Sequence, residues 1–145
     1  MNDLQQALKI AFSSEFSFFL KAQNFHWNVT GPFFPQMHDL FERIYTEVYE
    51  SIDPFAENIR KADSFVPASF AGLSMLSQVS DENQVLDDAD MAKELLDDSD
   101  KMVKILKLCF DIATAHGEDG LANFLAERMD AHRKHSWMLR STITP

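Results

Sequence analysis

Five histidines and a set of spaced carboxylates are the residues of this chain that could do chemistry. The histidines are His26, His38, His116, His132 and His135. Residues three before them are Gln23, Pro35, Ala113, Met129 and His132. None is glutamate, so the Glu-x-x-His pairs that carry a di-iron centre inside a single helical bundle are missing. Phosphate-cradling glycine loops, nucleophile elbows and His-Glu-x-x-His zinc motifs are also missing. What remains is His38 and Glu42, four apart, and Asp53 and Glu57, again four apart. At that spacing each pair projects from one face of a helix. His26 lies seven residues after Phe19, on an apolar seam. A histidine there reads either as a core or interface residue or, with the nearby carboxylates, as a ligand. Imidazole with carboxylate suits iron or zinc, and the carboxylate share favours iron or manganese.

Spacing restricts how these groups could meet. His38 and Asp53 are fifteen positions apart, roughly 22 Å along one helix, whereas a ligand sits about 2 Å from its metal. They cannot share an ion within one straight helix. Two copies packed antiparallel about a two-fold axis could bring His26 and His38 of one to Asp53 and Glu57 of the other, twice per dimer.

The elements that must hold these residues read as helices. Leu8, Phe12, Phe16, Phe19 and Phe25 give an apolar stripe over about Asp3 to Trp27, closed by Asn28-Val-Thr-Gly-Pro. A second helix starts near Phe33 or Pro35 and runs to about Ala62, with a three-and-four stripe of Phe34, Met37, Phe41, Ile44, Val48, Ile52, Phe55 and Ile59. Pro54 predicts a kink in it. Residues 63–85 form a long connector with one short apolar piece, Phe70 to Leu76, either an interfacial helix or a plug at the core's edge. Third and fourth long helices are expected from about Asp87 to His116 and Glu118 to Ser141. Inward positions in the third are Leu95, Val103, Leu106, Phe110 and Ala113. Those in the fourth are Leu121, Leu125 and Leu139. Gly31, Gly72, Gly117 and Gly120 mark expected breaks, and the carboxylate-rich stretch from Asp81 to Asp100 reads as a solvated face. The expected fold is all-α, a four-helix bundle of ferritin or cytokine type, in one domain spanning residues 1–145.

Composition agrees. The 145 residues are 46% hydrophobic, enough for a core. Twenty-three acidic residues against 13 basic ones give a net charge of −10, which argues against a phosphate-binding surface. The single cysteine, Cys109, excludes an internal disulfide and reads as core. No apolar run is long enough to span a membrane, and no export signal stands at the start, so a cytoplasmic location is expected.

Taken together, His26-Trp-Asn-Val-x-Gly, His38-x-x-x-Glu42 and Asp53-x-x-Ala-Glu57 resemble the signature of the Dps family, the miniferritins; His132-Arg-Lys-x-x-Trp137-Met-Leu-Arg resembles its last helix. The resemblance spans nearly the whole chain. It implies a ferritin-like four-helix bundle with a short extra helix in the second connection, assembled as a hollow homododecamer. It also implies a di-iron ferroxidase site at the two-fold interface, with His26 and His38 from one subunit and Asp53 and Glu57 from its neighbour. Glu42 matches an acidic residue at the second metal position. Trp27 matches an aromatic beside the site that intercepts oxidising equivalents, though plain packing explains a tryptophan equally well. The reaction implied is Fe(II) oxidation, by hydrogen peroxide in preference to dioxygen, with Fe(III) mineral stored inside.

Some positions depart from the family pattern. Asn58 replaces an arginine, Pro54 follows Asp53 directly, and Leu121 and Asn123 replace pore residues near Glu118, Asp119 and Glu127. The lysine-rich tail used on DNA is absent, which with the net charge argues against direct DNA binding. The rival readings are a structural or DNA-associated shell with a vestigial iron site, and a cytokine-like binding protein. His132 and His135 read as surface or interface polar residues before a minor metal site, and His116 as a partner for a helix dipole.

Overall fold

A computed structural model describes residues 1–145. It has five helices and no strand: α1 (Asp3–Asn28), α2 (Phe34–Lys61), α3 (Phe70–Leu76), α4 (Asp88–Ala115) and α5 (Asp119–Ile143). The boundaries have local causes. Asn2 opens α1 with a reciprocal capping box: its Oδ1 accepts from the Gln5 amide at 2.8 Å and Gln5 Oε1 accepts from the Asn2 amide at 3.0 Å. The Gln5 side-chain amide also donates to Ala62 O at 2.8 Å, tying the end of α2 to the start of α1. Asp87 caps α4 through the Asp90 amide, with Asp88 and Asp90 in the first turn. α2 continues unbroken through Pro54. That residue has no amide to donate, and the Asn58 side chain adds a 3.0 Å bond to its carbonyl.

α1 pairs with α2 and α4 with α5, and α1 also packs on α4. The long connection crosses between the two hairpins and lays α3 against α1. α2 and α5 touch only sparingly, leaving a groove between them. One apolar core of Leu, Phe, Ile, Met, Val and Ala runs through the bundle, with Phe18, Phe25, Phe41 and Phe55 fully enclosed. Cys109 lies in it, and burial pushes its thiol up to about 12.

Several expectations need correction. Gly72 and Gly120 lie inside α3 and α5, not at breaks. Phe16 and Phe19 are only partly buried, while Phe18 is fully enclosed. The inward stripe of α1 passes through Leu8, Ala11, Phe12, Phe18, Ala22 and Phe25, and Phe16 and Phe19 lie beside it. Val103, Phe110 and Leu121 are likewise half-buried. Not all of the acidic stretch is solvated: Asp98 is buried and accepts a 2.7 Å bond from the buried Lys21 ammonium. Burial pushes the Asp98 carboxyl up, against the lowering pull of Lys21. The largest correction concerns His132 and His135. They are 0% and 2% exposed, inside the bundle.

Candidate metal centre

The hairpin between α1 and α2 brings His26 and His38 together. The chain must reverse over residues 29–33, and Gly31 does so at φ +122°, a region that side-chain-bearing residues rarely enter. His26 stands in the last turn of α1, where helix carbonyls lack an amide partner, and His38 in the second turn of α2. His38 Nδ1 lies 2.7 Å from His26 O and His26 Nδ1 lies 2.9 Å from His38 O. Carbonyls only accept, so both Nδ1 atoms carry the hydrogen and donate. In the neutral rings that fixes the tautomer with the lone pair on Nε2, the form a metal ligand needs. The rings stack 3.8 Å apart at 17°. Phe34 stacks on the other side of His38 at 4.9 Å, and Tyr45 meets the His26 ring edge-on at 5.2 Å.

Glu42 lies beside the pair. Its Oε1 is 3.8 Å from His26 Nε2. That is too long for a hydrogen bond. It is within the roughly 4 Å that separates two donors on opposite sides of one ion at about 2.1 Å each. Two imidazoles held through Nδ1 beside a carboxylate therefore fit a divalent cation in donor chemistry.

Asp53 and Glu57 are elsewhere. Both are exposed on α2, four and five turns beyond His38. Asp53 lines a groove with Phe16, Phe19, Gln23, Tyr45, Tyr49 and Ile52, which runs along α1 and α2 from the histidine end. Within one chain no group of three histidine, cysteine, aspartate or glutamate side chains is disposed to hold a metal ion. The groove explains the half-buried Phe16 and Phe19, and it presents Tyr49 57% exposed. Trp27, next to His26 in the chain, is 63% exposed in a different groove, beside Leu20, Asn24 and residues 81–85, so core packing does not account for it.

Inside the bundle is a cluster that residue spacing did not disclose. Arg128 Nη1 donates to Glu47 Oε2 at 2.6 Å and its Nε to Glu15 Oε2 at 3.4 Å. His132 Nε2 donates to Glu15 Oε1 at 2.5 Å, and His135 Nε2 to Glu47 Oε1 at 2.8 Å. Burial alone would raise both glutamates. For Glu15, the charges of His132 and Arg128 outweigh it and the carboxyl lies low. For Glu47, hydrogen bonds from His135 and Arg128 do so and bring it to about 2. Burial lowers His135, which stays neutral. A signal did exist. Glu15 falls between Ala11, Phe12 and Phe18 on an inward stripe, and Arg128 three residues after Leu125, so each places a charge where apolar residues were due.

The ferritin-like domain family model matches residues 5–144. A "DNA protection during starvation protein" of Brevibacillus brevis is 30% identical over 125 residues, covering 86% of this chain and 84% of that protein. An uncharacterized low temperature-induced protein of Nostoc is 31% identical over 126 residues, covering 86% of this chain and 70% of that one. Among solved structures, Dps from Staphylococcus aureus superposes with a TM-score of 0.93 at 26% identity, over 99% of this chain and 96% of that one. Dps from Thermosynechococcus elongatus gives 0.94 at 25% identity, over 98% and 90%. With this bundle, the short α3 in its long connection and matches along almost its whole length, the chain belongs to the Dps family of ferritin-like proteins.

Proposed function

We propose that this chain is a single ferritin-like domain that oxidises Fe(II), with hydrogen peroxide as the favoured oxidant, and stores the Fe(III) product inside a hollow homododecamer. Iron storage and protection from oxidative stress follow from the family in general terms; the residues add a mechanism. The observation that carries it is the reciprocal pairing of His26 and His38. Two buried or half-buried imidazoles are stacked and held through Nδ1, with His26 Nε2 3.8 Å from Glu42 Oε1.

A second copy supplies what is missing. Laid antiparallel on the groove of Phe16, Phe19, Tyr45, Tyr49 and Ile52, it would cover apolar surface. It would also bring Asp53 of the partner subunit and Glu57 of the partner subunit to the histidine end, giving two di-iron sites per dimer. The histidines hold Fe(II), and the carboxylates favour the Fe(III) product because their charge offsets the added positive one. Two Fe(II) surrender one electron each to one peroxide. Its O–O bond breaks and two protons are taken up to give two waters, so no hydroxyl radical need escape. Trp27 beside His26 is a reserve electron donor for an incompletely loaded site. The net charge of −10 suits a surface that gathers Fe(II). No helix is long and apolar enough to cross a membrane, and we place the shell in the cytoplasm. The same charge disfavours direct DNA binding, so a DNA-associated shell with a vestigial iron site is the weaker reading.

The test is Fe(II) oxidation by the metal-free assembly with peroxide or with air, followed by Fe(III) absorbance, beside a His38→Ala control. Rapid, peroxide-preferring oxidation that the control loses supports the reading. A rate equal to that of iron in buffer overturns it.

A further inference from the structure

The cluster inside the bundle uses metal-ligand residue types without a metal. Glu15 from α1 and Glu47 from α2 both bond Arg128 of α5, which is 4% exposed, and each carboxylate also takes a histidine of α5, His132 on Glu15 and His135 on Glu47. The guanidinium lies between the two carboxylates, taking both oxygens of Glu47 at 2.6 and 3.2 Å and one of Glu15 at 3.4 Å. Arg128 thus sets a fixed positive charge between the two carboxylates. The Ser99 hydroxyl donates to His132 O at 2.9 Å and its oxygen accepts from Ser136 at 2.9 Å. Toward His132 Nδ1, 3.3 Å away, that oxygen can only accept.

Bundles that do bind metal internally use inward glutamates and histidines from facing helices. Here two carboxylates flank a fixed side-chain cation, and two imidazoles bond those carboxylates. We propose that Arg128 occupies the cation position of a latent divalent-metal site formed by Glu15, Glu47, His132 and His135, and so excludes metal from the bundle interior and confines it to the exposed face of α1 and α2. Three further observations support this. Ser99 already stands behind His132 as the outer partner a ligating imidazole requires. His135 Nδ1 is buried with no partner, so it is free to take the ring hydrogen and bare Nε2 toward Glu47. Glu47 and His135 also line the α2–α5 groove with Glu42, Thr46, Glu50 and Lys134, an entry path of about 440 Å³.

The test uses cobalt(II) alone as the probe, in a His26→Ala/His38→Ala/Glu42→Ala/Asp53→Ala/Glu57→Ala background that removes the donors of the proposed shared site. The background protein should show no tight cobalt binding. Adding Arg128→Ala should create about one site per chain, with the intense visible absorption of a four-coordinate ion, and a further Glu15→Gln should weaken it by at least about tenfold. If the arginine variant does not fold alone, recovery of helical circular dichroism on adding cobalt counts equally in favour, since a metal that binds only the folded state drives folding. Tight internal binding with Arg128 present, or neither absorption nor refolding without it, overturns the proposal. None of these readouts depends on iron oxidation.

Discussion

Sharing of a site between subunits makes a quantitative prediction. α2 is unbroken from Phe34 to Lys61, so His38 and Asp53 stand roughly 22 Å apart in one chain. A His38→Ala assembly and an Asp53→Ala assembly should each be inactive, for different reasons. Dissociated, mixed in equal amounts and reassembled, they should recover activity. Random pairing makes half the two-fold interfaces mixed, and each mixed interface joins the intact histidines of one chain to the intact Asp53 of the other at one of its two sites. Recovery should therefore reach about a quarter of the unmutated rate. The controls sharpen the result. Mixing His26→Ala with His38→Ala, or Asp53→Ala with Glu57→Ala, should restore nothing, because each pair breaks the same side of the site. The assay is peroxide-driven Fe(III) formation, with native mass spectrometry to count mixed dimers. Abundant mixed dimers with no activity would refute the shared site, and equal recovery in the same-side controls would refute the assignment of sides.

Three further outcomes are expected. Stability should fall on acidification. Below about pH 6.5 the unfolded chain protonates His135 and the folded chain resists; below 4.5 unfolded Glu47 takes a proton that the folded one refuses until about 2. Urea midpoints measured from pH 7 down to pH 3 should decline, and Glu47→Gln should flatten the part below 4.5; a midpoint that rises toward acid contradicts the cluster's charge state. Gly31→Ala must hold an alanine near φ +122°, at a cost of about 1–3 kcal/mol, and should lower the melting temperature and weaken metal uptake together, since the same turn pairs the histidines. Tyr49→Glu sets a charge in the middle of the apolar groove and should shift the assembly to smaller species by light scattering; an unchanged mass would move the two-fold contact elsewhere.

Residue patterns disclosed what is local or periodic. Of the expected α2 stripe, Met37, Phe41, Ile44, Val48, Phe55 and Ile59 are buried, because a three-and-four repeat on one helix has one face to bury, while Ile52 is half-buried in the groove and Phe34 is exposed at the helix start. The histidine pair was legible for a similar reason: His26, Gly31 and His38 bracket a tight turn, and a turn that short leaves two helix ends side by side. The α1 stripe failed because a helix with phenylalanine at 12, 16, 18, 19 and 25 has apolar residues on more than one face. Periodicity does not say which face meets the bundle and which is left for another surface. Phe16 and Phe19 went to the groove with Asp53, and Phe18 went to the core.

The buried cluster was hidden for a different reason, and the reason bears on function. A histidine in isolation is assigned to the surface because burying it without partners is costly. His132 is buried because Glu15, 117 positions away, and Ser99, 33 away, satisfy it. No local window contains that pairing. Removing one member would leave an opposite charge unpaired, a loss of roughly 3–5 kcal/mol, whereas an apolar core at these positions would need no matching at all. Five interlocked polar groups are retained where hydrophobic ones would serve, and Arg128 already stands between the two carboxylates as their fixed cation. His26 and His38 beside Glu42 have the opposite arrangement: ligand-type side chains with no side-chain cation between them, at an edge where a second copy can close the site.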